Sequence, residues 1–205
     1  MTHKFDLALL PKDYRAFCQK GTGISAFHGY YRLLGCSGHS PYTLEEWNDV
    51  STWRFAWPQL KKSYVSIGFS AWGDQYMFDL ENPLKGIFFL EAYEMASEPL
   101  AETFTEFLNG EWARLSENPY DERMISSFER FGSLRHDEGL ALVPPLLLAS
   151  SESQCDVMRM DMRALLIANG DIFTQMRSLP PHSQVTGVQP YTDEKGRARV
   201  RLKLE

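Results

Sequence analysis

Cysteine is scarce in this chain of 205 residues: Cys18, Cys36 and Cys155 are the whole supply, widely spaced and odd in number. Such a set implies no disulfide framework. The three read instead as small buried hydrophobes of a reducing compartment. Long apolar runs are missing too. The longest, residues 140–149, has about half of the ~20 residues that a spanning helix needs, and it contains Pro144 and Pro145. The first residues hold a short apolar patch broken by Asp6 and stopped by Pro11, which is not the pattern of a signal peptide. The expectation is a protein kept in the cytoplasm, with no membrane partner. Basic charge is also short: 21 Lys and Arg stand against 27 Asp and Glu, a net charge of −6. That balance argues against direct nucleic-acid binding, which shows a basic footprint. It suits a partner with a basic surface. There is no internal repeat, low-complexity tract or linker. The chain therefore reads as one domain over 1–205, with 140–205 as a candidate C-terminal subdomain.

Apolar residues are in good supply at 43%, enough for a real core. In residues 12–20, Tyr14, Phe17 and Cys18 share one helical face, and Gly21 and Gly23 end that helix. Residues 29–35 read as a short strand between glycines. Thr43 with Glu46 three residues on forms a capping box for a helix carrying Leu44 and Trp47. Residues 64–72 alternate with period two, a half-buried strand with Val65, Ile67 and Phe69 on one side. Gly73 and Asp74 read as a two-residue hairpin turn. Residues 75–80 and 87–93 give two more strands, so the centre is an antiparallel meander of three. A helix is expected from Ser97 with Pro99 in its first turn, then one over 122–131 and one over 161–178. Residues 140–148 read as a buried, irregular or edge segment. The chain closes in a hairpin of residues 185–191 and 197–204. Strands come in runs and do not alternate with helices, which predicts an α+β fold with an antiparallel sheet.

No motif in the chain satisfies a catalytic pattern in full. Gly68-Phe-Ser-Ala-Trp72 lacks the last glycine of a nucleophile elbow and runs into a hairpin. Cys18, His28, Cys36 and His39 do not form the two close ligand pairs of a structural zinc site. Nothing in the sequence asks for a cofactor. Asp74, Asp79, Glu81 and Glu91 lie on or beside the meander, where paired acids held close would suit acid–base chemistry; an enzyme using them is one alternative function. The other reading of that acidic edge is a contact surface for a basic partner, with Trp72, Asp74, Asp79 and Glu81 as its candidate residues. Trp53, Trp57 and Trp72 lie beside loops or turns, and packing in the core is expected for at least two of them. In the last strand Arg197, Arg199, Arg201 and Lys203 alternate with apolar residues. The expectation is a charged outward face that discourages edge-to-edge pairing, with an anion or acidic-partner contact as the functional alternative.

Two segments carry a family resemblance. Leu10-Pro-Lys-Asp-Tyr-Arg-Ala-Phe17 is similar to the opening helix of the SUKH superfamily, and residues 64–80 resemble its central hairpin around Gly73 and Asp74. Phe104-Thr-Glu-Phe-Leu108, Phe131-Gly132 and Val143-Pro144-Pro145-Leu146 further resemble type VI secretion immunity proteins with a GAD-like front half. The likeness spans residues 9–176, and the Arg-rich closing hairpin lies outside it. It implies an α+β fold without enzymatic activity and a partner that is a cognate protein toxin encoded nearby, often a nuclease. The superfamily's yeast cell-wall synthesis regulator gives a second expectation, a regulatory scaffold.

Overall fold

The computed structural model describes residues 7–37, 42–117 and 122–205. Helix α1 (Lys12–Lys20) leads into strands β1 (Gly23–Ala26) and β2 (Tyr31–Leu34). Helix α2 (Leu44–Asn48) follows, and its capping box is complete: the Thr43 hydroxyl accepts from the Glu46 amide, and the Glu46 carboxylate accepts from the Thr43 amide. Strands β3 (Tyr64–Ser70), β4 (Gln75–Asp79), β5 (Ile87–Leu90) and β6 (Ser97–Ala101) complete a six-stranded antiparallel sheet in chain order. The α+β expectation holds, with a meander twice as long as the three strands read from sequence.

Three differences in this half have physical causes. Residues 97–101 form an edge strand and not a helical turn. Pro99 has no N–H to donate and is tolerated on an edge. The helix starts later, at α3 (Phe104–Phe107), behind a second capping box of Thr103 and Glu106. Strand β3 is buried on both faces, so its alternation does not mark a solvated side; Ser66 and Ser70 are as enclosed as Ile67. Finally, β3 stops at Ser70, and the connection to β4 is a four-residue loop closed by the Ser70 amide on the Asp74 carbonyl at 2.9 Å. Gly73 takes a positive φ of 89° inside it.

Beyond α3 the helix passes through a π-helical turn (Leu108–Trp112) into α4 (Ala113–Glu117), and α5 (Glu122–Phe131) follows. Strands β7 (Glu138–Val143) and β8 (Asp156–Asp161) form a separate two-stranded ribbon. The ribbon is joined to the main sheet where the Leu140 amide donates to the Ala71 carbonyl at 2.7 Å. Helix α6 (Met162–Met176) is capped by Asp161 and packs against the 3-10 turn Arg54–Ala56. Gly170 sits there because a side chain would drive into Trp57 and the Ala56 carbonyl. Strands β9 (Val185–Thr192) and β10 (Ala198–Leu204) close the chain. One connected core includes residues from Leu10 to Phe173, so both halves share it. Trp47 stacks on Phe69 at 4.3 Å, and Tyr14 meets Phe104 edge-on at 5.0 Å. Trp53 and Trp57 are buried with their N–H groups on the Trp47 and Leu166 carbonyls, as expected for two of the three tryptophans.

The cysteine expectation fails. Cys18 and Cys36 are joined in a disulfide that ties the end of α1 to the turn after β2. The helix and strand bring the two sulfurs together through the fold, which spacing alone does not reveal. Their state therefore gives no support for a reducing compartment. The pairing also consumes two of the four zinc candidates, and a third, His39, lies outside the described residues.

Candidate interaction surface and cleft

The four surface candidates do not form one patch. Trp72 and Asp74 sit at one end of β4, and Asp79 and Glu81 at the other, roughly 16 Å away at ~3.3 Å per residue. Asp74 is only 9% exposed. Its Oδ2 accepts from the Ser70 hydroxyl at 2.7 Å and its Oδ1 from the Ala92 amide at 3.0 Å. It thus ties the β3–β4 loop to the β5–β6 loop. Ser70, the elbow serine, is spent on the same turn. Asp79 is 4% exposed, not solvated as its place in the alternation suggests, and its Oδ1 accepts from the Glu81 amide at 3.1 Å. Both aspartates are enclosed because tight turns need local acceptors for their free amides. Glu81 is exposed and Trp72 half-buried.

The Trp72 end gathers negative charge. Burial holds the Glu91 carboxyl above its ordinary range, and the charges of Asp74 and Glu94 add to the shift. A cavity of about 10 Å³ adjoins Glu91, Gly73 and Trp53. It is the size of a single water, too small for a substrate to reach the carboxyl from that side.

The closing hairpin is not the free charged face expected from its alternation. The outer edge of β10 lies along α6, and side chains of the helix stand in for a neighbouring strand. The Val200 amide donates to Asp171 Oδ2 at 2.9 Å, the Leu202 amide to Gln175 Oε1 at 3.0 Å, and Gln175 Nε2 returns a bond to the Val200 carbonyl at 3.0 Å. Arg199 turns inward and pairs with Asp171, which is 2% exposed, through Nε at 2.8 Å. Arg197 pairs with Asp193, holding that carboxyl down at about 2. Arg201 and Lys203 remain exposed.

A cleft of about 300 Å³ opens over the β1–β2–β3 edge of the sheet. Its floor is a row of paired positions, Ser25 on β1, Arg32 on β2 and Phe69 on β3. Tyr42 and His136 stand over it. Arg32 is 5% exposed. Its Nη2 donates to the Arg135 carbonyl at 2.6 Å, and its guanidinium lies 5.3 Å from the Phe69 ring centre. Nε and Nη1 have no acceptor. Burial lowers the guanidinium to about 10, opposed by Tyr42, Asp137 and Glu138. Sequence reading passed over this residue. Its one signal is a lone arginine inside the apolar run Tyr30-Tyr-Arg-Leu-Leu34.

The model of the SMI1 / KNR4 family (SUKH-1) matches residues 7–110, which include α1, the whole six-stranded sheet and the floor of this cleft. No curated protein and no solved structure matches the chain.

Proposed function

The chain belongs to the SMI1 / KNR4 family (SUKH-1), and on that premise we propose that it is a bacterial immunity protein that binds and neutralises a cognate protein toxin encoded nearby. The observation that carries the reading is the family match over residues 7–110. The toxin is a nuclease-type effector, and the GAD-like type VI secretion subtype remains the proposed setting. The protein acts by occupying the toxin, without catalysis of its own. An acidic chain suits a nuclease, whose surface must attract phosphate and is therefore basic.

The proposed contact is the acidic end of the sheet. There Trp72 offers a half-exposed ring, and rings are favoured interface anchors. Glu91 and Glu94 supply charge beside it, while Asp74 shapes the two loops. A cation from the toxin would relieve the like-charge crowding on Glu91. Glu81, at the far end of β4, contributes to the general field and not to this patch.

Co-expression with the neighbouring gene product tests the function. Rescue of growth and a one-to-one complex on pull-down support it. Absence of both rejects it in favour of the regulatory scaffold. The proposed compartment is the cytoplasm, where a reducing pool meets the Cys18–Cys36 pair. Thiol labelling of rapidly quenched cells checks this: three labelled cysteines agree with it, and labelling of Cys155 alone means an intact disulfide and points to an oxidising compartment.

A further inference from the structure

The Arg32 cleft is unusual in its charge balance. A guanidinium has five N–H donors, and among the described residues this one donates to the Arg135 carbonyl alone. Nε and Nη1 are buried, with no acceptor among the described residues. A buried charge in that state is costly. The nearest carboxylates are committed elsewhere. Glu138 takes the Arg135 amide at 2.8 Å and its Nε at 2.9 Å, with Arg159 at 3.6 Å, and Asp137 lies 3.7 Å from Arg135. The fold thus places one cation without a counterion of its own among the described residues under an open cleft, with Ser25 beside it on the floor and Thr22 also lining the cleft.

We propose that this cleft is a binding site for a carboxylate, with the Arg32 guanidinium leaning off the Phe69 ring to meet it and the Ser25 hydroxyl completing its contacts. A single cation beside two carboxylates, already paired with other arginines, suits a monoanion better than a phosphate dianion. The group comes either from an acidic side chain of a bound polypeptide or from a small free carboxylate. The site stands apart from the toxin-binding reading, since failure of toxin rescue has no bearing on whether an anion binds here.

Titration of the full chain with sodium acetate, followed by the Arg32 Nε–H signal in ¹⁵N NMR, tests it. A saturable shift is expected, half-complete at roughly 1–10 mM, with no saturation by sodium chloride over the same range. Arg32→Gln identifies the signal. Ser25→Glu carries the test whether or not that variant folds. Ser25 is exposed and lies directly across from Arg32 on the neighbouring strand, within reach for a cross-strand pair. Ser25→Glu should fill the site from within, abolish the acetate shift and raise the melting temperature. An acetate response no different from chloride overturns the proposal, as does a shift that survives in Ser25→Glu. Tighter binding of inorganic phosphate than acetate overturns the carboxylate assignment. N-acetylglutamate α-amide separates the sources: tenfold tighter binding than acetate supports a polypeptide side chain, and equal binding supports a small free acid.

Discussion

Gln75 shows how much one buried amide can hold. Its Oε1 accepts from the Trp47 indole at 2.9 Å and the Ser66 hydroxyl at 2.7 Å, while Nε2 donates to the Gly73 carbonyl at 2.6 Å. Gln75→Ala strands the Trp47 indole N–H and the Gly73 carbonyl in the core, where each unpaired group costs about 1–3 kcal/mol, while the Ser66 hydroxyl keeps the Gly68 carbonyl at 3.1 Å. The expected loss is about 3 kcal/mol or more, read by urea denaturation, with Trp47 fluorescence reporting the local change. Asp171 is the second such residue, since it holds both Arg199 and the Val200 amide. Asp171→Ala leaves the Val200 amide without its acceptor and Arg199 with only Asp193 at 3.7 Å and the Phe55 ring beside it. Removing one member of a fully buried pair costs about 3–5 kcal/mol; Arg199 keeps some contact with water, so about 2–3 kcal/mol is expected here. Hydrogen exchange at Val200 and Leu202 should accelerate more than at the β3–β4 core. Glu91 gives a pH signature. Its raised pKa means that the folded state holds the proton more tightly than the unfolded chain does. The group therefore favours folding below its unfolded pKa, and that stability is lost as pH rises through the folded value. Glu91→Gln removes this decline. Its melting temperature should exceed that of the parent at pH 7 and approach it near pH 4.

At the scale of elements, the disulfide is the strongest single constraint. It closes a loop across a sequence separation of 18 around β1 and β2, a length at which cross-linking contributes about 3 kcal/mol. Cys18→Ser/Cys36→Ser should lower stability by about that amount, and a reducing agent should do the same to the parent but nothing to the variant. Denaturation curves with and without reductant check both. This link also shows where sequence reading stops. Local signals were legible: the Thr43–Glu46 box, the period-two strands of the meander, the bounds of α5 and the closing hairpin all follow from neighbours in the chain. What was not legible depended on contacts far apart in sequence. Strand β6 becomes a strand only because β5 offers it an edge, and β8 because β7 does. Asp79 looked solvated because alternation describes one strand and says nothing of what packs on its second face. Arg32 carries no local signal of a site beyond its place in an apolar run, because the cleft above it is built partly by Tyr42 and His136 from outside its strand.

Over the whole molecule, charge is unevenly spread. Residues 197–205 carry four positive charges and one negative, while the remaining 196 residues carry 17 positive and 26 negative, a net −9. The fold brings part of this separation back together, since Arg199 and Arg197 are spent on Asp171 and Asp193. At the sheet end with Trp72, Asp74, Glu91 and Glu94, burial raises the Glu91 carboxyl first, and the acids Asp74 and Glu94 add to the shift. The field seen by an approaching protein is therefore negative at that end, and it acts beyond contact distance until salt screens it, over about 10 Å at 0.1 M. For a basic toxin this predicts a particular kinetic pattern. Raising salt from about 10 to 500 mM should slow association tenfold or more, while dissociation changes little, because long-range steering governs encounter and packing governs release. Glu91→Gln/Glu94→Gln should weaken the salt dependence of the on-rate without altering the fold, and Trp72→Ala should act mainly on dissociation. Surface plasmon resonance across a salt series separates the two effects. An on-rate insensitive to both salt and the double substitution would remove this end of the sheet as the landing surface and move the search to the Arg32 side.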